Sequence, residues 1–203
     1  MNRIILVRHG HVAGIDPPRF RGRAELPMTQ EGRDQAQKVA RRIAANWRPA
    51  IVYTSPLKRC VDTGAAIGEQ CGAPSKTLVE INDLDYGAWQ GKSWDDARAI
   101  GDGLFETWRH SPDQVIFPGG ESLQGVAGRA GRALRYVNEH HAQETVVMVS
   151  HDSVNRVILS LALALPLSSY WRLIQEPCCI NEIECDGDGT RVRRINDTAH
   201  LHG

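Results

Sequence analysis

Three short apolar runs in this chain end in the same way. Ile4-Ile5-Leu6-Val7 leads into Arg8-His9-Gly10, and Val146-Val147-Met148-Val149 leads into Ser150-His151. Ile51-Val52-Tyr53 leads into Thr54-Ser55-Pro56, with Arg59 three residues further on. Runs of this length, rich in β-branched residues and separated by helix-length stretches, read as buried strands of an α/β sheet. If the strands run parallel, their carboxyl ends share one edge, where open α/β sheets hold their ligands. Two histidines and two arginines then meet there with no acidic residue among them. Such a pocket suits a small, highly charged anion, phosphate first.

The rest of the chain fits that frame. Thr29 is placed to cap a helix whose buried face is Ala36, Val39, Ala40, Ile43, Ala44 and Trp47, and which Pro49 ends. Ser55 and Pro56 read as the N-cap and first residue of a second helix. Arg59 then lies in its first turn, where free N–H groups and the positive dipole end favour an anion. Lys76 to Ile81 is a further strand candidate, and Asn82 to Ser93 is irregular. Leu123, Val126, Ala127, Ala130, Leu134 and Val137 mark a long amphipathic helix, and Val154 to Leu165 a largely buried one. Ile180 to Cys185 and Arg191 to Ile195 flank Asp186-Gly187-Asp188-Gly189, a hairpin signal. The stretch Gly10 to Met28 is long for a loop inside one domain, and loops of that kind usually carry function.

Composition removes several classes. Acidic and basic residues number 24 each, which argues against a nucleic-acid binder working through bulk positive charge. The longest apolar stretch, Val157 to Leu167, is too short to span a bilayer. Met1 to Val7 lacks the features of a secretory signal, so the expected compartment is the cytoplasm. The cysteines, Cys60, Cys71, Cys178, Cys179 and Cys185, form no C-x-x-C pair and no zinc-ligand spacing with histidine, and read as free thiols. No G-x-G-x-x-G follows the first strand, and G-x-S-x-G is absent.

Four segments in order carry a resemblance: Leu6-Val7-Arg8-His9-Gly10, Ser55-Pro56-Leu57-Lys58-Arg59 with Thr63, Pro118-Gly119-Gly120-Glu121-Ser122, and Val149-Ser150-His151. Together they resemble the histidine phosphatase superfamily, the phosphoglycerate-mutase-like group with the R-H-G signature. Arg21-Gly22 and Leu26-Pro27-Met28-Thr29-Gln30-Glu31-Gly32 add a further matching segment. The fold then expected is α/β: a three-layer α/β/α sandwich around a mostly parallel sheet, with a small helical cap over 93–118 and a C-terminal β-hairpin. Residues 1–203 would form one domain.

The resemblance implies roles. His9 would be the nucleophile, attacking phosphorus through one neutral ring nitrogen while the other is held as N–H. Arg8 and Arg59 would grip phosphoryl oxygens with planar forks. His151 would donate a further hydrogen bond. No metal and no cofactor is implied; the partner is a small-molecule phosphomonoester substrate, without nucleic acid or membrane. In the family a carboxyl, usually Glu, stands four residues before the glycine of a segment similar to Asp85-Tyr86-Gly87-Ala88-Trp89-Gln90-Gly91. Counting back gives Asp83, the shorter acid, with Glu80 and Asp85 as rivals. His11-Val12 follow R-H-G where many members carry Glu-Thr, and Ile15 stands where an Asn is expected. His11 either lines the site or is solvated, Arg21 and Gly22 belong to a loop able to rebuild the phosphate pocket, and Glu121 either meets substrate or opens a helix with Ser122.

The leading expectation is a metal-independent phosphomonoesterase. A phosphoglycerate-type mutase is the nearest alternative, and the longer insertion and extra motif residues of mutases are not evident between Gly91 and Arg135. A non-catalytic phospholigand-binding protein on the same fold is the third, since fold alone does not establish activity. The oligomeric state is open, a homodimer through the C-terminal hairpin included.

Overall fold

The computed structural model describes residues 2–186 and 189–202. Its strands are β1 (Asn2–Arg8), β2 (Pro49–Thr54), β3 (Ser75–Thr77), β4 (Thr145–Ser150), β5 (Ile180–Asp186) and β6 (Gly189–Asp197). They form one sheet in the order β3-β2-β4-β1-β5-β6. β3, β2, β4 and β1 run parallel, while β5 lies antiparallel to both β1 and β6. The helices are α1 (Gln30–Asn46), α2 (Lys58–Cys71), α3 (Trp94–Arg98), α4 (Leu104–His110), α5 (Leu123–His140) and α6 (Asp152–Ala162).

The uninterrupted apolar runs follow from helices covering both faces of the sheet. Ile5, Val7, Val52, Val147 and Val149 pack with Val39 and Ile43 of α1 and Ile67 of α2. The alternate residues Ile4, Leu6, Ile51, Tyr53, Val146 and Met148 pack with Val126, Ala130 and Val137 of α5 and Val154 and Ile158 of α6. The result is the three-layer α/β/α sandwich expected, with a mostly parallel sheet. Register places Arg8 beside Ser150 and Thr54 beside Val149, so the three reactive strand ends share one edge.

α3 and α4, with the 3-10 turn Pro112–Gln114, form the cap over that edge. Aromatic side chains seat it. Phe20 meets Tyr86 and Trp89 at ring separations of 5.0 Å, Trp108 meets Phe117 and Tyr170 at 5.1 Å, and Tyr86 meets Phe117 at 4.9 Å. Edge-to-face pairs of this kind contribute about 0.5–1.5 kcal/mol each beyond their burial.

Several boundaries differ from those read in the sequence. Thr29 does cap α1, its Oγ1 accepting the Gly32 N–H at 3.1 Å. Ser55 does not cap α2: that helix begins at Lys58 with Leu57 as N-cap. The Lys58 N–H donates to the Glu25 carboxylate at 3.2 Å, so a protein acid occupies a donor that the sequence had offered to an anion. The strand expected over Lys76 to Ile81 pairs only at Ser75–Thr77, because Val79–Ile81 turns into a 3-10 helix. α6 ends at Ala162, short of Leu165. The C-terminal strands do pair as a hairpin; Gly187 and Asp188 of its turn lie outside the described residues. Among the described residues no helix is long and apolar enough to cross a membrane.

The loop after β1 touches the first turn of α1 so closely that neither side has room for a side chain. A Cβ on Gly10 would strike the Gly32 carbonyl oxygen, and a Cβ on Gly32 would strike that of His11. Backbone cannot retreat as a flexible side chain can. Gly32→Ala should therefore cost at least about 2 kcal/mol in chemical denaturation, as overpacking does. Gly128→Ala, in α5 with open space around the added methyl, should instead stabilise by about 0.5–1 kcal/mol. Equal effects at the two positions would contradict this packing.

Candidate active site

His9 follows the last residue of β1 and is buried, its own N–H donating to the Ser150 carbonyl at 3.0 Å. Its Nδ1 lies 2.8 Å from the Gly10 carbonyl oxygen. That oxygen can only accept, so Nδ1 carries the proton and the lone pair sits on Nε2. Burial, followed by the charges of His151, Arg59 and Arg8, holds the His9 pKa well below the ordinary histidine value, against the pull of the Gly10 hydrogen bond. At neutral pH this imidazole is uncharged, with a free lone pair at a defined atom.

His151, at the N-cap of α6, approaches edge-on with a ring separation of 5.2 Å from His9. Its Nε2 is 2.7 Å from Ser55 Oγ, and its Nδ1 faces Asp83 Oδ2 at 3.5 Å. Burial and then Arg59, Arg129, Arg8 and Arg21 depress its pKa as well. Arg59 is wholly buried; its guanidinium donates to the carbonyls of Ala24 and Gly22 at 2.7 Å and to Asp83 Oδ2 at 3.1 Å. Arg8 donates to the Gln175 carbonyl. The Nε groups of both arginines are buried without a partner among the described residues. Orphaned charged donors beside an uncharged imidazole are what an incoming anionic oxygen would satisfy.

Of the three candidate acids the structure brings only Asp83 against Arg59 and His151. Asp85 is turned toward Arg23 at 3.3 Å and accepts the Gly87 N–H, and among the described residues no contact joins the Glu80 side chain to the cluster. Burial raises the Asp83 pKa, while Arg59, Arg21, the Leu84 N–H and Arg129 oppose the rise. A carboxyl whose pKa is raised by burial is moved in the direction that proton donation requires.

The segment bearing Asp83 is held from behind by Arg129, an arginine on the buried face of α5. All five of its N–H groups are engaged: by the carbonyls of Glu80, Asn82 and Asp83 and by both carboxylate oxygens of Glu121. Glu121 also accepts the Asp85 N–H at 3.1 Å and pairs with Arg23. It therefore braces the acid loop, while Ser122 alone caps α5 through the Gly125 N–H. Gly120 lies against the Asp85 carbonyl without room for a Cβ, and Gly119 before it adopts a left-handed φ of +70°.

The loop residues separate. Arg21 is largely buried near Arg8; burial and that neighbour lower its pKa while Asp83 raises it. Gly22 contributes its carbonyl to Arg59. His11 is turned away, its ring bonded to Thr29 Oγ1 at 3.0 Å and lining a separate cavity with Glu31 and Lys38. Beside Arg8 lies a cavity of about 220 Å³ lined by Arg21, Trp94, Asp152, Arg156 and Trp171. There Arg156 is bonded to Asp152 at 2.7 Å and lies over the rings of Tyr170 and Trp171 at 5.0 and 5.2 Å. Sequence reading missed Ser55 as the partner of His151, the Arg129–Glu121 brace and the Asp152–Arg156 pair. Two signals were available: an arginine inside the apolar stripe of α5, and an i,i+4 acid–base pair directly after His151.

The family model described as histidine phosphatase superfamily (branch 1) matches residues 4–198. The chain is 28% identical over 201 residues to phosphoserine phosphatase 1 of Hydrogenobacter thermophilus, spanning 99% of this chain and 95% of that protein. It is 32% identical over 162 residues to a metal-independent phosphoserine phosphatase of Arabidopsis thaliana, spanning 78% and 67% respectively. The solved structure of Bacillus stearothermophilus YhfR is similar with a TM-score of 0.93 at 25% identity, covering 99% of this chain and all 100% of the other. Among the described residues no group of three or more His, Cys, Asp and Glu side chains is arranged to hold a metal ion.

The buried neutral histidines link stability to pH. Their folded pKa values lie below the unfolded value, so the unfolded chain takes up protons first as pH falls. Their contribution is intact above about pH 6.5 and declines below it, by up to about 1.4 kcal/mol per pH unit for each histidine. Denaturation followed from pH 7 to pH 5 should show this loss, with a shallower slope in His9→Gln; identical slopes would contradict the neutral burial of His9.

Proposed function

The chain belongs to branch 1 of the histidine phosphatase superfamily, a family of metal-independent phosphatases, and on that premise we propose that it hydrolyses a small phosphomonoester through a phosphohistidine on His9. The observation that carries the reading is the His9 tautomer. Nδ1–H is committed to Gly10, so Nε2 is the one ring atom able to attack.

In the first half-reaction the Nε2 lone pair forms a bond to phosphorus and the bond from phosphorus to the ester oxygen breaks. Arg8 and Arg59 surround the transferring group with positive charge and donors, which help most where charge develops away from water, and neutral His151 lies edge-on beside His9. Asp83 gives its proton to the departing alkoxide. In the second, water attacks phosphorus, the Asp83 carboxylate takes the proton released, and the P–N bond breaks to return neutral His9 with inorganic phosphate. The return to a carboxylic acid readies Asp83 for the next turnover.

For the leaving alcohol we propose a phosphorylated hydroxy amino acid. The cavity beside Arg8 is small, and its polar lining pairs cations with one acid: Arg21 and Arg156 suit a substrate carboxylate, and Asp152 suits its ammonium. The names of the Hydrogenobacter and Arabidopsis relatives support the same substrate class. A small cavity closed by Trp94 and Trp171 disfavours bulky glycosyl or nucleoside leaving groups. The five thiols are free, which supports a reducing, cytosolic setting.

With chelator present, the wild-type protein should hydrolyse O-phosphoserine and p-nitrophenyl phosphate, and rapid quenching should trap an acid-labile, base-stable phosphoenzyme. His9→Ala should yield neither product nor phosphoenzyme; a His9→Ala protein that still traps phosphate would remove the nucleophile. Arg156→Met should raise KM for O-phosphoserine at least tenfold and leave that for p-nitrophenyl phosphate nearly unchanged, since about 1.4 kcal/mol is one decade. Parallel changes on both substrates would contradict the amino-acid reading.

Asp83→Asn separates the acid from the rest of the site. Turnover of alkyl phosphates, whose alkoxides need a proton, should fall about 10²–10⁴-fold. p-Nitrophenyl phosphate, whose leaving group departs unassisted, should lose far less. Equal losses on both would show that Asp83 is not the proton donor.

A further inference from the structure

Ser55 Oγ is the centre of a small hydrogen-bonding problem with one complete solution. Four groups approach it: Asn82 Oδ1 at 3.3 Å, the Leu57 N–H at 3.4 Å, His151 Nε2 at 2.7 Å and the Cys60 sulfur, which can only accept because its own S–H donates to the Ser150 carbonyl. Asn82 Oδ1 already accepts the Asp83 N–H at 2.8 Å, which identifies it as the oxygen of that amide. An oxygen cannot donate, so the single Ser55 proton points to Asn82. The Leu57 N–H can only donate, so Oγ accepts there. The remaining lone pair of Oγ then needs a donor, and that donor is His151 Nε2–H. In the opposite assignment, with Ser55 donating to Nε2, the oxygens of Ser55 and Asn82 would face each other without a proton between them.

The consequence passes through the ring. With its proton on Nε2, neutral His151 presents a lone pair at Nδ1, and the atom opposite is Asp83 Oδ2. The other oxygen, Oδ1, accepts the Leu84 N–H at 2.9 Å, so an acid proton on Asp83 belongs on Oδ2. Oδ2 has a donor on one side, Arg59, and the Nδ1 lone pair on the other. A carboxylic O–H satisfies both, whereas a carboxylate would set two lone pairs against each other. Building on the phosphatase reading above, we propose that Ser55 and Asn82 are positioning residues that hold His151 as its Nε2–H tautomer and thereby keep Asp83 in the acid form between turnovers.

The surroundings do not supply this by themselves. Charged and titratable groups reach the pair from every neighbouring element: Arg8 and His9 from the end of β1, Arg21 from the following loop, Arg59 and Cys60 from α2, Tyr86 from the acid loop, Arg129 from α5 and Asp152 from α6. The arginines among them favour the Asp83 carboxylate, the wrong state for a proton donor. Cys60 does not set the tautomer, since its Sγ sits 3.4 Å from Nε2 and 3.8 Å from Nδ1 and its S–H donates to the Ser150 carbonyl. A lone pair 3.5 Å from Oδ2 opposes the arginines at the atom concerned.

Nitrogen-15 chemical shifts of His151 in the intact wild-type protein read the tautomer directly, and need no turnover. The expected result is a protonated Nε2 and an unprotonated Nδ1; a proton on Nδ1 in the resting protein overturns the proposal even if the protein is an active phosphatase. Conversely, an inactive protein would refute the function and leave the tautomer readable. The kinetic consequence is a shift in pH dependence. In Ser55→Ala, and in Asn82→Ala where the serine proton is released toward Nε2, His151 can donate from Nδ1 and stabilise the carboxylate. For an alkyl phosphate the basic limb of kcat/KM should then move about one unit toward acid, a moderate shift for one added hydrogen bond. Ser55→Thr, which keeps the hydroxyl, should restore the wild-type limb. Uniform loss at every pH in both alanine variants, with the limb unmoved, would mark the two residues as merely structural.

Discussion

Arg8 and Arg59 are buried beside two imidazoles, and the carboxyl group that meets Arg59 and His151 is that of Asp83. Removing a guanidinium from water costs several kcal/mol unless its hydrogen bonds are replaced. The fold replaces most of them with backbone carbonyls, at Gly22, Ala24 and Gln175, which offer acceptors without adding negative charge. A surplus of positive charge is therefore maintained where β1, β2 and β4 end. Burial first, and then the same surplus, keep both histidines neutral, the state that the proposed attack by His9 needs.

Holding such a site requires stiff surroundings, and these come from close backbone contact rather than from extra layers of side chains. The loop after β1 rests on the first turn of α1 through Gly10 and Gly32. The acid loop rests on the Pro118–Gly120 turn and is gripped by a guanidinium with every donor used. Aromatic contacts then fix the cap beside the cavity that leads from Arg8. The side chains of the proposed site come from different strands and loops, so their relative placement depends on the sheet register and these few contacts.

Much of this was legible in the sequence, because the strongest signals were local. The apolar runs, the Thr29 cap and the residues just past each strand end are patterns of a few residues, and parallel pairing turned them into one edge. The count back from Gly87 that the resemblance implied picked Asp83, and that side chain does lie beside Arg59 and His151. What escaped notice was non-local. Ser55 looked like an N-cap because serine before proline usually is one; its hydroxyl is instead engaged by His151, 96 positions away. Arg129 stood in the apolar stripe of α5, but its carbonyl partners at Glu80, Asn82 and Asp83 belong to an irregular loop with no pattern to read. The Lys76 to Ile81 run had strand-like composition, yet β3 is an exposed sheet edge and Ile81 is buried in the turn that follows it.

The most direct measurement is the structure of the protein with orthovanadate, a trigonal-bipyramidal stand-in for the transferring phosphoryl group. The account predicts vanadium bonded to His9 Nε2, its equatorial oxygens within hydrogen-bond distance of Arg8 and Arg59 and alongside the His151 ring, and Asp83 beside the apical oxygen opposite the nitrogen. Vanadate bonded through Nδ1, or seated away from these four side chains, would contradict it.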